Sequence, residues 1–206
     1  MTGSTPTIVI IAGPNGAGKS TLTRIIEQSN QIYPFGDDLI GDFTQFPAID
    51  PDAEARLIQP NRPEAAALQG GKQALKRAYN YLANGQSFLV ETTLAGKTYF
   101  RLIQQARQLG WRVYLIYIGV ERVEISIDRV AQRAIAGGHN VALADIRRRY
   151  ERSLSHLKRA VEMVDLALIF DNSAKQGYKK MMTVERGQVR EQAELLPQWL
   201  IAAWEG

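Results

Sequence analysis

The segment Gly13-Pro14-Asn15-Gly16-Ala17-Gly18-Lys19-Ser20, followed by Thr21, constrains this chain more than any other. It follows the pattern of glycine, four residues, then Gly-Lys-Ser, and it stands where that pattern has to stand. Residues 7–12 before it form a β-branched apolar run, the mark of a strand buried on both faces, and residues 19–30 after it read as a helix. A glycine turn between a strand and a helix brings backbone N–H groups and a helix N-terminus to one point, which suits a phosphate. On this reading Lys19 reaches the β- and γ-phosphates of a nucleotide and the Ser20 hydroxyl ligates a metal, so ATP and Mg2+ are the expected ligands. The plain alternative is a tight strand-to-helix turn without a ligand.

The rest of the chain repeats the alternation. Apolar runs at 87–90, 113–119 and 166–170 read as central strands, and helical patterns occupy about 63–84, 97–109 and 123–136. Residues 31–35 offer a further strand, with Pro34 at its end or on an edge. Strands alternating with helices predict an α/β fold: three layers with a central, mostly parallel sheet. The tail differs, because 178–184 and 188–191 around Gly187 read as a hairpin and 195–204 as a closing amphipathic helix. No repeat or low-complexity linker divides the chain, so residues 1–206 are expected to form one domain.

Composition narrows the class of protein. A chain of 206 residues with 45% hydrophobic and 22% charged content fits one globular domain with a sizeable core. It contains no cysteine, which excludes disulfides, thiolate metal sites and a cysteine nucleophile and favours a reducing cytoplasm. Neither a signal peptide nor a membrane span of roughly 20 apolar residues is evident. The net charge of +4 is concentrated in residues 121–160, where nine Arg and Lys face five Asp and Glu. So local an excess fits a triphosphate as well as a polynucleotide, and a solvated helical face equally well; no nucleic-acid partner and no membrane are expected.

The phosphate loop alone does not separate kinases from transporter-type ATPases. A transporter ATPase carries a Leu-Ser-Gly-Gly-Gln signature and an apolar strand ending in Asp-Glu, and neither string occurs here; Asp171 is followed by Asn172 and Ser173. Kinase chemistry instead needs an acceptor-side carboxylate. Asp37 and Asp38 in Phe35-Gly36-Asp37-Asp38-Leu39-Ile40 fall just past the candidate strand at 31–35, where an open parallel sheet binds its ligands, although the same residues suit an Asx turn or helix cap. Glu91 follows the apolar strand end in the same way. It can hold an acceptor hydroxyl or a magnesium-bound water, or be a solvated ion-pair partner, while Thr92 and Thr93 can donate to the acceptor or cap the helix near Lys97.

Arg129 and Arg133 lie four residues apart and share a helix face; Gly137-Gly138-His139 interrupts the chain before a second helix bearing Arg147, Arg148, Arg149 and Arg152. This pattern, over about 123–155, suggests a lid that closes on a triphosphate, with surface pairing to Asp128, Asp145 and Glu151 as the alternative. His139 reads as a hinge hydrogen-bonder, and His156 as solvent-facing.

Taken in order, Gly13 to Thr21, Gly36-Asp37-Asp38-Leu39-Ile40, Glu91-Thr92-Thr93-Leu94-Ala95-Gly96 and Arg129 through Ser153 resemble the zeta-toxin family of P-loop kinases. The most specific stretches are Arg133-Ala-Ile-Ala-Gly-Gly-His139 and Ile146-Arg-Arg-Arg149-Tyr150-Glu-Arg152-Ser153. The resemblance implies a kinase-like α/β fold and ATP- and magnesium-dependent phosphorylation of the sugar of UDP-N-acetylglucosamine. It implies Asp38 as general base, Lys19 as loop lysine, Glu91 as acceptor-side carboxylate, and Arg133 and Arg149 as lid arginines. An antitoxin partner follows from the resemblance alone. Gly36-Asp37 stands where the family often reads Asn-Ala, and the chain is shorter than members of established substrate. Another hydroxyl acceptor (an antibiotic, nucleoside or sugar) and a non-catalytic nucleotide-binding switch are the competing functions.

Overall fold

A computed structural model of the chain describes residues 5–28, 43–135 and 141–205. The four apolar runs become the middle of one sheet as β1 (Thr7–Ala12), β3 (Phe88–Thr92), β4 (Arg112–Gly119) and β5 (Leu166–Asp171). β2 (Ala48–Ile49), β6 (Lys179–Glu185) and β7 (Gln188–Gln192) complete it, in the order β2-β3-β1-β4-β5-β6-β7. The first five strands pair in parallel and β6 and β7 add antiparallel, so the expected mostly parallel sheet ends in the expected hairpin.

β1 lies at the centre because it is apolar on both sides. Ile8, Ile10 and Ala12 enter the core on one face and Val9 and Ile11 on the other, all with no exposed surface. Each such aliphatic side chain contributes about 1.5–3 kcal/mol on leaving water. The helices are α1 (Lys19–Gln28), α2 (Pro51–Ile58), α3 (Ala67–Ala83), α4 (Thr98–Gln108), α5 (Val123–Ile135), α6 (Leu143–Met163) and α7 (Gln198–Glu205). α3, α4, α6 and α7 cover one face: Ala74, Ala78 and Leu82 of α3 recur every fourth residue and make its buried stripe. α1 covers the other face through Leu22 and Ile26. This gives the three layers that the alternation of strands and helices predicts.

The carboxyl-terminal helix is tied to the sheet at one point. The Trp199 ring lies over Gly119 so closely that a Cβ there would sit 2.3 Å from ring carbons, and the indole N–H donates to Asp171 Oδ1 at 2.8 Å. Among the described residues no helix is long and apolar enough to cross a membrane.

Several elements depart from the sequence reading. The strand expected at 31–35 lies outside the described residues, as do Asp37, Asp38 and His139. The helix expected at 63–84 is a 3-10 turn at Pro63–Ala66 leading into α3. β2 and α2 were not foreseen. A two-residue strand is too short to show alternation, but α2 carries a start signal: Asp50 at the N-cap accepts from the Asp52 N–H at 2.8 Å, and Pro51 opens the first turn.

Candidate active site

The glycine loop joins β1 to α1 and is held from the sheet side. The Gly13 N–H donates to the Thr92 carbonyl at 3.2 Å, which ties the loop to the end of β3. Gly13 has φ +142°, and a Cβ there would lie 2.1 Å from the Ile118 carbonyl oxygen, so only glycine fits between β1 and β4. Lys19 Nζ donates to the Pro14 carbonyl at 2.9 Å, folding the side chain back over the turn. Asn15 is buried, and its Oδ1 has no hydrogen-bond partner among the described residues. A buried acceptor without a donor is costly to keep.

Glu91, at the end of β3, is 4% exposed and faces α1. Its Oε2 accepts from the Ser20 hydroxyl at 2.8 Å and its Oε1 from the Thr23 hydroxyl at 2.7 Å. Burial pushes the Glu91 carboxyl above the ordinary carboxylate range, with Asp50 adding to the shift and Thr23, Lys19 and Ser20 opposing it. Burial lowers the Lys19 ammonium, and Glu91 is the largest opposing charge. A buried carboxylate and a half-buried ammonium therefore stand beside a hydroxyl-bearing helix start, each held off its usual titration range by the protein around it.

The segment after Glu91 is bent sharply. Leu94 adopts a left-handed backbone, φ +56°, unusual for a bulky residue. Two contacts hold it there: its N–H donates to Thr92 Oγ1 at 3.0 Å, and its carbonyl meets His156 Nδ1 of α6 at 2.7 Å. His156 is thus a half-buried brace, packed edge-on to Phe100, and not the solvent-facing residue its sequence context suggests. The helix cap proposed for the threonines does not form, since Lys97 occupies the α4 N-cap without a side-chain bond. Thr92 serves the bend, while Thr93 lines the cleft.

These elements bound one cleft of about 1170 Å³. The glycine loop and Lys19 line it, together with Arg129 and Arg133 of α5 and Arg148, Arg149 and Arg152 of α6. Arg129 donates weakly to the Gly16 carbonyl at 3.4 Å and Arg148 pairs with Asp145 at 2.6 Å. Among the described residues, Arg133, Arg149 and Arg152 make no ion pair or side-chain hydrogen bond, so the surface-pairing alternative describes Arg148 and not these three. Arg147 does not border the cleft.

Asp50 and Asp52, from the unforeseen β2–α2 junction, also line the cleft. Asp50 is committed to the α2 N-cap and to Arg56 at 3.4 Å, whereas the half-buried Asp52 carboxylate has no hydrogen bond or ion pair among the described residues. The Asp50-Pro51-Asp52 helix start was the signal available for finding them. α2 is seated on α3 through Gly70, where a Cβ would lie 2.6 Å from the Pro51 carbonyl, and through Arg77, which bonds the buried Glu54. Among the described residues no group of three or more His, Cys, Asp and Glu gathers as a metal cluster.

A parallel sheet flanked by helices, with a glycine loop between its first strand and helix and arginine-bearing helices beside the loop, defines a P-loop kinase-like α/β protein. The sequence matches the family described as Zeta toxin over residues 1–181, and the chain belongs to that family. An uncharacterised protein of Haemophilus influenzae is 31% identical over 142 residues, covering 69% of this chain and 91% of that protein. Among solved structures, the AvrRxo1-ORF1:-ORF2 complex with ATP superposes with a TM-score of 0.65 at 19% identity, covering 91% of this chain. This chain spans 60% of the matched chain there. The PezAT chromosomal toxin-antitoxin system of Streptococcus pneumoniae superposes with a TM-score of 0.60 at 14% identity, covering 100% of this chain and 87% of that one.

Proposed function

We propose that the chain is an ATP- and magnesium-dependent kinase that transfers a γ-phosphate to a hydroxyl of a small molecule, with a sugar nucleotide such as UDP-N-acetylglucosamine as the first candidate. The carrying observation is that one cleft is lined both by the glycine loop, Lys19 and unpaired arginines and by the carboxylates Asp50, Asp52 and Glu91. Phosphoryl transfer needs both sets, because charge on the migrating group has to be neutralised while the acceptor is oriented by a carboxylate. Family membership supports the reaction class, and the likeness to a structure described with ATP agrees with the nucleotide.

In this reading residues 13–21 cradle the phosphates with their backbone N–H groups, and the folded-back Lys19 swings out to meet them. A bound Mg2+ would supply charge neutralisation at the phosphate oxygens, held by Ser20 Oγ and, through water, by Glu91. Lys19 leaves the Pro14 carbonyl for the phosphates. Arg133 and Arg149, on a lid of about 123–155, neutralise the transferring group. Asp52 orients the acceptor hydroxyl and takes its proton; Asp38 is the second candidate for that part. Glu91, Thr92 and Thr93 flank the acceptor. Lys72, Leu68 and Leu75 of α3 also line the cleft, which favours an acceptor with an anionic group and an apolar face.

We further place the protein in the cytoplasm, in keeping with a chain free of cysteine, as a single domain with an antitoxin among its partners. The test is ADP release by purified protein with magnesium-ATP and a panel of acceptors. Release that depends on UDP-N-acetylglucosamine supports the first candidate, release with an antibiotic, nucleoside or free sugar replaces it, and tight ATP binding without turnover to any acceptor overturns the kinase reading.

A further inference from the structure

The connection from β5 to β6 grips the phosphate loop, and its Asn172 and Tyr178 also line the cleft. Asn172 Nδ2 donates to the Ala17 carbonyl at 2.8 Å, and the Tyr178 hydroxyl donates to the Gly18 carbonyl at 2.7 Å. Both carbonyls belong to consecutive peptide units of the loop. In a trans peptide the C=O of one residue and the N–H of the next point in opposite directions. Fixing the Ala17 carbonyl therefore fixes the Gly18 N–H, and fixing the Gly18 carbonyl fixes the Lys19 N–H. Among the described residues, neither N–H has an acceptor within the turn, so both remain available to a ligand.

The grip is close and braced. A Cβ on Gly18 would lie 2.7 Å from Asn172 Nδ2 and 2.9 Å from the Tyr178 hydroxyl, so the loop backbone is in direct contact with both side chains. The Asn172 N–H donates to the Gly119 carbonyl at 2.9 Å. On the residue before, the Asp171 carboxylate receives the Trp199 indole N–H at 2.8 Å and the Ser173 hydroxyl at 2.7 Å, and Ser173 Oγ in turn accepts the Glu121 N–H at 2.7 Å. Burial raises the pKa of the Tyr178 hydroxyl, so it stays protonated and remains a donor.

We propose that Asn172 and Tyr178 are positioning residues that aim the Gly18 and Lys19 N–H groups at the phosphates of the nucleotide, an inference that rests on the nucleotide-binding reading above. Neither side chain has to touch the reacting atoms. Their effect is preorganisation: without Asn172 the Ala17–Gly18 unit loses the bond that orients it, and without Tyr178 the Gly18–Lys19 unit is left with the Leu22 N–H bond to its carbonyl at 3.0 Å, so the amide dipoles are less well fixed before the anion binds.

The experiment is calorimetric titration of the full chain with sodium pyrophosphate, alongside amide NMR of the same samples, for wild type, Asn172→Ala and Tyr178→Phe. Tyr178→Phe keeps the ring and removes one hydroxyl, so packing survives, and the thermal midpoint of each variant is measured in parallel. Each variant is expected to bind pyrophosphate about two- to tenfold more weakly, the loss of one hydrogen bond's worth of ordering. The signature is residue-specific: Asn172→Ala diminishes the pyrophosphate-induced shift of the Gly18 amide, and Tyr178→Phe that of the Lys19 amide. Wild-type affinity in both variants overturns the proposal, and so does an equal loss at both amides in either variant, which would signify general loosening. If wild type itself fails to bind pyrophosphate, the nucleotide reading falls and takes this proposal with it; if wild type binds and the variants match it, only the grip is wrong.

Discussion

The carboxylate of Glu91 and the hydroxyl of Ser20 meet at 2.8 Å across 71 residues of sequence, making the end of β3 and the first turn of α1 a single unit. This seam sets the charge balance at the glycine loop, because Glu91 is also the main counter-charge to Lys19.

The pH dependence follows from it. The profile of kcat/KM for ATP reports the free enzyme, and burial raises Glu91 and lowers Lys19 there. The acid limb is expected above the usual carboxylate range and the alkaline limb below the usual lysine range, giving a narrow bell; an acid limb at an ordinary carboxylate value would contradict this. For stability, a raised folded pKa means that the Glu91 contribution is full below its unfolded pKa and is lost as pH rises through the folded one. The thermal midpoint of wild type minus that of Glu91→Gln should therefore decline as pH rises from the ordinary carboxylate range through the raised folded pKa.

Lys19→Ala is expected to abolish ADP release and to weaken ATP binding about ten- to hundredfold, as one charge-assisted contact of about 1.5–3 kcal/mol would. The fold should survive, because the lysine is held in the turn by one bond to Pro14. Coupled assay and calorimetry together decide it, and unchanged turnover would remove the kinase reading.

For the lid, Arg133→Ala and Arg149→Ala should each lower the chemical rate by about 10³- to 10⁵-fold while changing ATP affinity far less. Arg152 borders the same cleft and is a poor comparison; Arg147, exposed and away from the cleft, is the suitable one. Single-turnover rates for the three variants make the measurement. A loss in Arg147→Ala equal to the others would reduce the arginines to general electrostatics.

On the acceptor side, Asp52→Asn should retain ATP binding and lose phosphoryl transfer, since an amide keeps the size but cannot take a proton. Asp38→Asn, run beside it, tests the second candidate. The outcome that reverses the assignment is an active Asp52→Asn with an inactive Asp38→Asn.

Gly70→Ala tests how Asp52 is held. The added Cβ would meet the Pro51 carbonyl and the Ala55 nitrogen at 2.6 and 2.7 Å, both backbone atoms, so α2 has to move. A loss of about 1–3 kcal/mol in denaturant unfolding is expected, as for other overpacked contacts. It should come with a lower kcat at near-constant ATP affinity; an unchanged kcat would mean that α2 does not set the acceptor geometry.

The parts of this molecule that were legible in its sequence are those where the pattern is local. β1, the glycine loop and α1 are written in consecutive residues, and the hairpin at Gly187 carries its own turn signal. The β2–α2 junction was missed because a two-residue strand has no periodicity and its partner β3 lies some forty residues away. His156 was misread for a related reason: its acceptor is the Leu94 carbonyl, 62 residues distant, and a left-handed leucine leaves no mark in composition. Asn172 was noticed only as a failed motor motif, since its hydrogen bond to Ala17 spans 155 positions.

The central place of β1 also governs how the protein is made. Its two neighbours, β3 and β4, are translated only after roughly eighty and a hundred further residues. At about 5–20 residues per second, the strand therefore waits on the order of ten seconds with both edges unpaired. Ile8 to Ile11 is an uninterrupted β-branched run, the kind of segment that associates with its like when left exposed. On the ribosome, the strand that carries the phosphate loop is an exposed, adhesive stretch, and chaperone crosslinking to residues 7–12 in stalled nascent chains should persist until β3 and β4 have been made.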